Sequence, residues 1–291
     1  MSQDVKKYLS DPRLASYLEY TKNNLEDALE LYRLNLRLVG AFFPLMSMLE
    51  VTLRNAIGHQ MNNIFPDQGK GDWIEQFLKI LADIKETETY IYDPFTPDIN
   101  KVKKAIKKDV RDQEKILLKE ELQQDKNFKH LSHEEQDKII ESKLDKEKRP
   151  DLEKKIARKI NDKNIIISKL TFAFWCAIFN PDVYGTIFKG KVIEIFNFNN
   201  LAEKKEKNRE TISLILNNIR HFRNRAAHNE PLIFYKQKLD LQRGELILQN
   251  IIEVLTLLSE DLKKYAEDIH LVKRHLQTIE EYCSEVKKLT V

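Results

Sequence analysis

The chain has 291 residues, 42% hydrophobic and 33% charged, with 49 basic against 46 acidic side chains and a formal net charge of +3. So small an excess excludes an overall polyanion-binding field; any such surface must come from local segregation of charge. Two distant cysteines, Cys176 and Cys283, exclude a disulfide framework, and with no CxxC or Cys/His cluster the sequence predicts no metal site and no cofactor.

Seven glycines, eight prolines and an abundance of Leu, Lys, Glu and Ile favour long helices. The first eight residues lack an apolar signal core, and no stretch reaches about 18 uncharged apolar residues. A cytosolic protein without a membrane segment is expected.

Asp11 and Pro12 read as a helix start, with a capping carboxylate and a proline in the first turn. Leu14, Tyr17, Leu18 and Thr21 follow on one face. Asn24 caps the next helix, whose apolar positions Leu25, Ala28, Leu29, Tyr32, Leu36 and Val39 have helical spacing. The pattern continues through Phe42, Leu45, Met46, Leu49, Leu53, Ile57 and Met61. Pro44 should kink or split this span, because it removes a donor and crowds the preceding turn. Residues 65–71 form a loop. Asp72 and Trp73 open a short helix to about Ile84, and 92–97 is a turn-rich connector.

Composition then changes. Across 101–163 charges crowd the chain and aromatics nearly vanish. Ile99, Val102, Ile106 and Val110 form a thin apolar stripe, while Lys104, Lys108, Arg111 and Lys115 form a basic one. Ser132 and Glu135 make a capping box. The segment reads as an inserted set of projecting helices, either a solvated face laced with salt bridges or an arm contacting RNA phosphates.

The core pattern resumes at Ile165. The apolar run 170–179 is a buried helix stopped by Asn180 and Pro181, and 184–198 gives one more short helix. A long helix runs from Asn208 through Ile212, Ile215, Ile219, Phe222 and Ala226 to a stop near Pro231. After a polar segment, 237–244, one or two helices close the chain, with Ile251, Val254, Leu255, Leu258, Leu262, Tyr265 and Ile269 on one stripe. No strand is convincing, so the fold class is all-α. The parts are 1–66 and 165–291, forming the core, with the charged insertion 67–164 between them.

The segment 220–231 carries the chemistry. Arg223 and His228 pair a permanently charged guanidinium, suited to gripping phosphate, with an imidazole that trades protons near neutral pH. Asn224 follows the Arg directly. Thirteen Arg and seven His would give roughly 0.3 chance instances of Arg-x4-His. Two occur, at Arg54–His59 and Arg223–His228, and both have Asn directly after the Arg. On a regular helix such partners lie roughly 140° apart. They converge only if the helix ends at His228 or if a second copy brings its own motif. His59 sits mid-helix, and Arg54 has Glu50 four residues earlier as an ordinary helical partner. Glu50, Arg54 and Asn55 are therefore read as supporting residues.

The Arg-polar-x3-His signature on a late helix resembles that of the HEPN superfamily. Four segments, 28–32, 49–55, 170–175 and 223–231, resemble the Abi-like abortive-infection proteins, the AbiD/AbiF group of bacterial phage-defence proteins. Together they span most of the chain outside the insertion. The resemblance implies a HEPN-type helical bundle, RNA as target or partner, a homodimer with two facing motifs, and metal-independent endoribonuclease chemistry by Arg223 and His228, oriented by Asn224. It also implies association with a small non-coding RNA in some relatives. Two functions follow as expectations. One is a toxin-like nuclease leaving 2′,3′-cyclic phosphate ends. The other is a protein that holds a structured small RNA with latent or no cleavage. The RNA contacts expected are Lys104, Lys108, Arg111 and Lys115 on the arm, and Arg220 and Arg225 beside the motif. A partner-binding helical protein, with Arg223 and His228 merely ending a helix, is the third reading.

Overall fold

In the computed structural model the described residues are 2–87, 93–146, 149–198, 205–269 and 271–289. Tyr92, which opens the expected connector, lies outside them. The chain runs through α1 (Ser2–Leu9), α2 (Asp11–Tyr20), α3 (Leu25–Ile64), α4 (Trp73–Glu86), α5 (Phe95–Leu122), α6 (Lys126–Lys129), α7 (His133–Lys146), α8 (Arg149–Ile160), α9 (Lys163–Lys169), α10 (Phe172–Ala177), α11 (Pro181–Thr186) and a 3-10 turn (Val192–Ile195). It continues through α12 (Lys205–Ala227), a hairpin of β1 (Phe234–Tyr235) and β2 (Lys238–Leu239), α13 (Gln242–Leu258), α14 (Glu260–Ile269) and α15 (Val272–Leu289). The all-α class expected from the periodicity holds. The hairpin is the one departure among the described residues: Lys236 and Gln237 both take positive φ, 48° and 65°, as a tight hairpin turn requires.

Two compact units result, one of Met1–Ile64 with Trp175–Val291 and one of Phe65–Phe174. The chain returns to the first unit at Trp175, later than the break at 164 expected from composition. The reason is that α9 packs on α5 and α8, and Phe174 stacks on Phe95 with centroids 5.1 Å apart, all within the second unit.

The first unit is built around α3. Its buried stripe, Leu31, Leu34, Leu38, Phe42, Leu45, Leu49, Leu53, Ile57 and Met61, has the spacing of one helix face. The helices α2, α12, α13, α14 and α15 and the 3-10 turn pack on α3. By length and composition α3 could cross a membrane, with an 18-residue window of mean hydropathy 1.5. Pro44 does not split it: the helix is continuous for 40 residues. The carbonyl that Pro44 leaves without a donor is that of Gly40, an exposed residue with open space around it, so water can serve as its partner.

Local chemistry explains most boundaries. Asn24 Oδ1 accepts from the amides of Glu26 and Asp27 at 3.0 and 3.3 Å, starting α3. Asp72 does the same for α4. The capping box on α7 forms, with Ser132 N donating to Glu135 Oε2 at 3.0 Å and Glu135 N to Ser132 Oγ at 3.4 Å. At α2 the cap position falls on Ser10, and Asp11 instead pairs with Lys6 at 3.2 Å.

Three expected helices are corrected. The run 170–179 is not one helix: Leu170 is extended and ends α9, and α10 spans only six residues. The helix expected over 184–198 is broken by the left-handed pair Lys189 and Gly190, after which the chain forms only the 3-10 turn. Extended Ser259 separates α13 from α14. That break ends the continuous stripe read to Ile269, so Tyr265 and Ile269 are exposed and Ala266 is buried in their place.

In the second unit, α5 packs on α7, α8 and α9. Phe77 on α4 stacks on Phe95 with centroids 5.1 Å apart. Arg111 donates to Glu141 at 2.5 Å and to Asp145 at 2.8 Å, and Lys115 also pairs with Glu141. Those bonds from Lys115 and Arg111 hold the Glu141 carboxyl below its usual range. Two of the four side chains expected to meet RNA on this arm thus clamp α5 to α7.

Candidate functional site

The motif lies at the end of α12, and the residues around it build that end. Asn229 is in the left-handed region, with φ 52°. Its amide donates to Ala226 O at 3.0 Å, and the amide of Glu230 reaches back to Arg225 O at 2.9 Å. These two bonds define a Schellman stop with His228 as the last half-helical residue and Asn229 in the position usually held by glycine. Asn suits it because a short polar side chain tolerates that conformation. A hydrophobic contact usually closes the motif; here the ion pair of Arg225 Nε with Glu230 Oε2 at 3.2 Å spans the same two positions. The end of α12 is therefore specified rather than frayed.

Three further contacts hold the turn. Arg13 of α2 donates through Nη1 to the carbonyls of His228, at 3.2 Å, and Asn229, at 2.6 Å. The carbonyl of His228 is one of those that a helix end leaves without internal donors, and that of Asn229 follows it in the turn. Asn35, fully buried on α3, accepts from the amide of Leu232 at 2.8 Å. Arg225 Nη2 donates to Pro231 O at 2.6 Å and to Phe234 O at 3.0 Å. The sequence reading has Arg225 contacting RNA; in the structure its Nη2 serves the backbone of its own turn and its Nε pairs with Glu230 instead. The contact of Arg13 spans 215 residues and had no signal in the sequence.

His228 is exposed, and its ring makes no hydrogen bond or ion pair to any described residue. Its amide still donates to Asn224 O at 3.0 Å. Asn224 is exposed and Arg223 half-buried. The Arg223 guanidinium lies 3.9 Å from Glu50 Oε2, so the supporting carboxylate expected on α3 reaches across to α12. Arg54 and Asn55 follow on the same stretch of α3, half-buried and exposed. His59 lies inside the unbroken α3, so the second Arg-x4-His pair has no helix end to bring it together. Arg220 donates to Asn217 Oδ1 at 3.2 Å and lies 3.4 Å from the His221 ring.

What positions Arg223 is the residue before it. Phe222 is fully buried and meets Phe42 of α3 edge-on, with centroids 4.7 Å apart. Cys176 is also buried in this unit, and burial pushes its thiol up to about 12, which rules it out as a nucleophile near neutral pH. Two clefts of the unit, lined by α13, α15 and the hairpin, contain none of the expected site residues. Among the described residues no group of three or more His, Cys, Asp or Glu converges.

Removing Arg13 should loosen the turn. Arg13→Ala leaves two carbonyls to water and is expected to destabilise the protein by about 1–2 kcal/mol, read as a shift of the urea midpoint at constant slope. Arg13→Lys should recover part of the loss, because an ammonium can still donate. An unchanged midpoint for Arg13→Ala would show that the clamp carries no stability.

The arrangement presents a guanidinium beside a carboxylate, and an imidazole free of described partners at a helix end held by Arg13, Asn35 and Arg225. Comparison of the chain with protein-family models, curated proteins and solved structures found no match.

Proposed function

We propose that this chain is a HEPN-type, Abi-like phage-defence protein that cleaves RNA at a site formed by two copies. One observation carries the reading: α12 stops so that His228 projects exposed, while Arg223 sits beside Glu50 of α3. A solvated helix end needs neither the coupling across helices nor the three-way clamp on the turn.

In this reading the phosphate lies against Arg223, whose charge strengthens its grip as the phosphorus becomes five-coordinate. His228 takes the proton from a ribose 2′-hydroxyl. The 2′-oxygen bonds to phosphorus, the bond to the 5′-oxygen breaks, and that oxygen receives a proton from the His228 of the second copy. The products are a 2′,3′-cyclic phosphate and a 5′-hydroxyl. Asn224, exposed one residue on, orients the pair.

A second copy answers the angular problem that one straight helix poses. The outward face of α3 supports it: Leu36, Phe43 and Val51 are 38–42% exposed there, separated by Gly40 and Ser47, and Val51 adjoins Glu50. Such an apolar stripe next to the motif suits helix-on-helix docking.

The test is the chemistry of the ends. A 5′-labelled RNA incubated with the protein in EDTA should give fragments ending in 2′,3′-cyclic phosphate, resolved after acid or phosphatase treatment. Fragments with 3′-hydroxyl ends, or no cleavage of any RNA presented, including RNA that copurifies, would overturn the reading.

A further inference from the structure

The insertion carries five lysines that its own fold leaves without partners. Lys101, Lys103, Lys104, Lys107 and Lys108 lie within two turns of α5, and none of them makes a hydrogen bond or ion pair among the described residues. At about 100° per residue they occupy an arc of roughly 160° on the side opposite the buried Ile99, Val102 and Ile106. The nearby acids, Asp98, Asp109 and Asp112, fall outside this arc, and Asp109 is already taken by Lys169 at 2.8 Å.

Elsewhere in the unit, among the described residues, some cations are paired and others, such as Lys79, Lys119 and Lys154, are not; what sets α5 apart is five of the latter on one arc. Lys138 pairs with Glu134, Arg149 with Glu153, Lys155 with Glu114, and Arg111 and Lys115 with acids of α7. Within the lysine arc, four pairs at three or four residues are like charges: Lys101 with Lys104, Lys104 with Lys107 and Lys108, Lys103 with Lys107; only its two ends have acids at that spacing, Asp98 from Lys101 and Asp112 from Lys108. Each like pair destabilises a helix. A face that concentrates this repulsion along one helix is suited to a partner of opposite charge.

We propose that this face of α5 binds the phosphate backbone of RNA. A linear polyanion matches it, because the lysines run along about 10 Å of helix and can meet successive phosphates. An anionic bilayer matches less well. The apolar face of α5 is buried in the unit, and no large apolar side chain stands among the lysines to enter a membrane. The choice of RNA rests on the function proposed above; the polyanion preference does not. Arg111 and Lys115 are not part of the surface.

The test uses the full chain and a fluorescent 2′-O-methyl RNA strand, which resists cleavage through the 2′-position, so binding is read independently of the Arg223–His228 chemistry. K101E/K104E/K108E should bind at least 10-fold more weakly at low salt, and the slope of log K against log salt should flatten by about 2, the share of three phosphate contacts on a single strand. The control K79E/K126E/K129E makes the same charge change on α4 and α6 and should bind like the parent. Circular dichroism checks that both variants fold. Equal losses in both variants, or unchanged affinity and slope in the first, would overturn the proposal. So would a loss confined to vesicles containing phosphatidylserine, with RNA binding intact. Normal binding of this strand by the parent, with no cleavage of unmodified RNA, would leave this surface standing and remove the nuclease reading.

Discussion

His228→Ala is expected to lower RNA cleavage by about 10²- to 10⁴-fold, the range that a positioned general acid or base supplies. The fold should hardly respond. The ring is exposed and bonds to nothing described, and the contacts that stop α12 at this residue come from its backbone, which alanine keeps. A stability change within about 0.5 kcal/mol is therefore expected, as for ordinary surface substitutions. Kinetics and thermal melts on the same preparation separate the two effects. Cleavage at parental rates would sink the mechanism. A large drop in melting temperature would instead place His228 in the helix stop, which is the reading of the motif as a mere cap. Phage protection in cells should follow the same order as cleavage.

Phe222→Ala should be the most destabilising change near the motif. Its ring is fully buried between α12 and α3 and meets Phe42 edge-on. Truncating such a buried phenylalanine costs about 3–5 kcal/mol through lost burial and the cavity left behind. The consequence reaches the site, because Arg223 is the next residue and its alignment with Glu50 depends on how α12 sits on α3. Urea unfolding measures the loss. A cost below about 1 kcal/mol would mean that α12 is held chiefly elsewhere, along Ile212, Leu216 and Ile219. Phe222→Leu should recover most of the stability, since a leucine fills much of the same space.

Much of the fold was legible because it rests on short-range rules. The buried stripe of α3 has a period close to that of a helix, and Asn24, Asp72 and Ser132 cap by bonding amides two or three residues away. The failures lie where a local signal competes with an apolar pattern: Thr171 accepts from the amide of Phe174 after the break at Leu170, Gly190 takes a left-handed φ, and Ser259 accepts from the amide of Asp261. Once a helix breaks, the stripe read beyond it loses register, which is why Tyr265 and Ile269 ended exposed.

For the candidate site the division is similar. The residue types at 223–231, and the need for either a helix end at His228 or a second copy, follow from spacing alone, since two side chains five residues apart on a helix face different ways. Composition likewise marks 101–163 as a different kind of surface. Which cations remain free is another matter. Arg225, Arg111 and Lys115 look the same in sequence as Lys104 and Lys108, yet the first three face acids or carbonyls supplied by the fold, and the last two do not. The clamps from Arg13 and Asn35, 216 and 197 residues away from their partners at Asn229 and Leu232, belong to the same category. A charged group is committed or available according to what the chain brings within about 3 Å of it. Periodicity and motifs do not encode that distance across hundreds of residues; the packing of α2 and α3 against the end of α12 sets it.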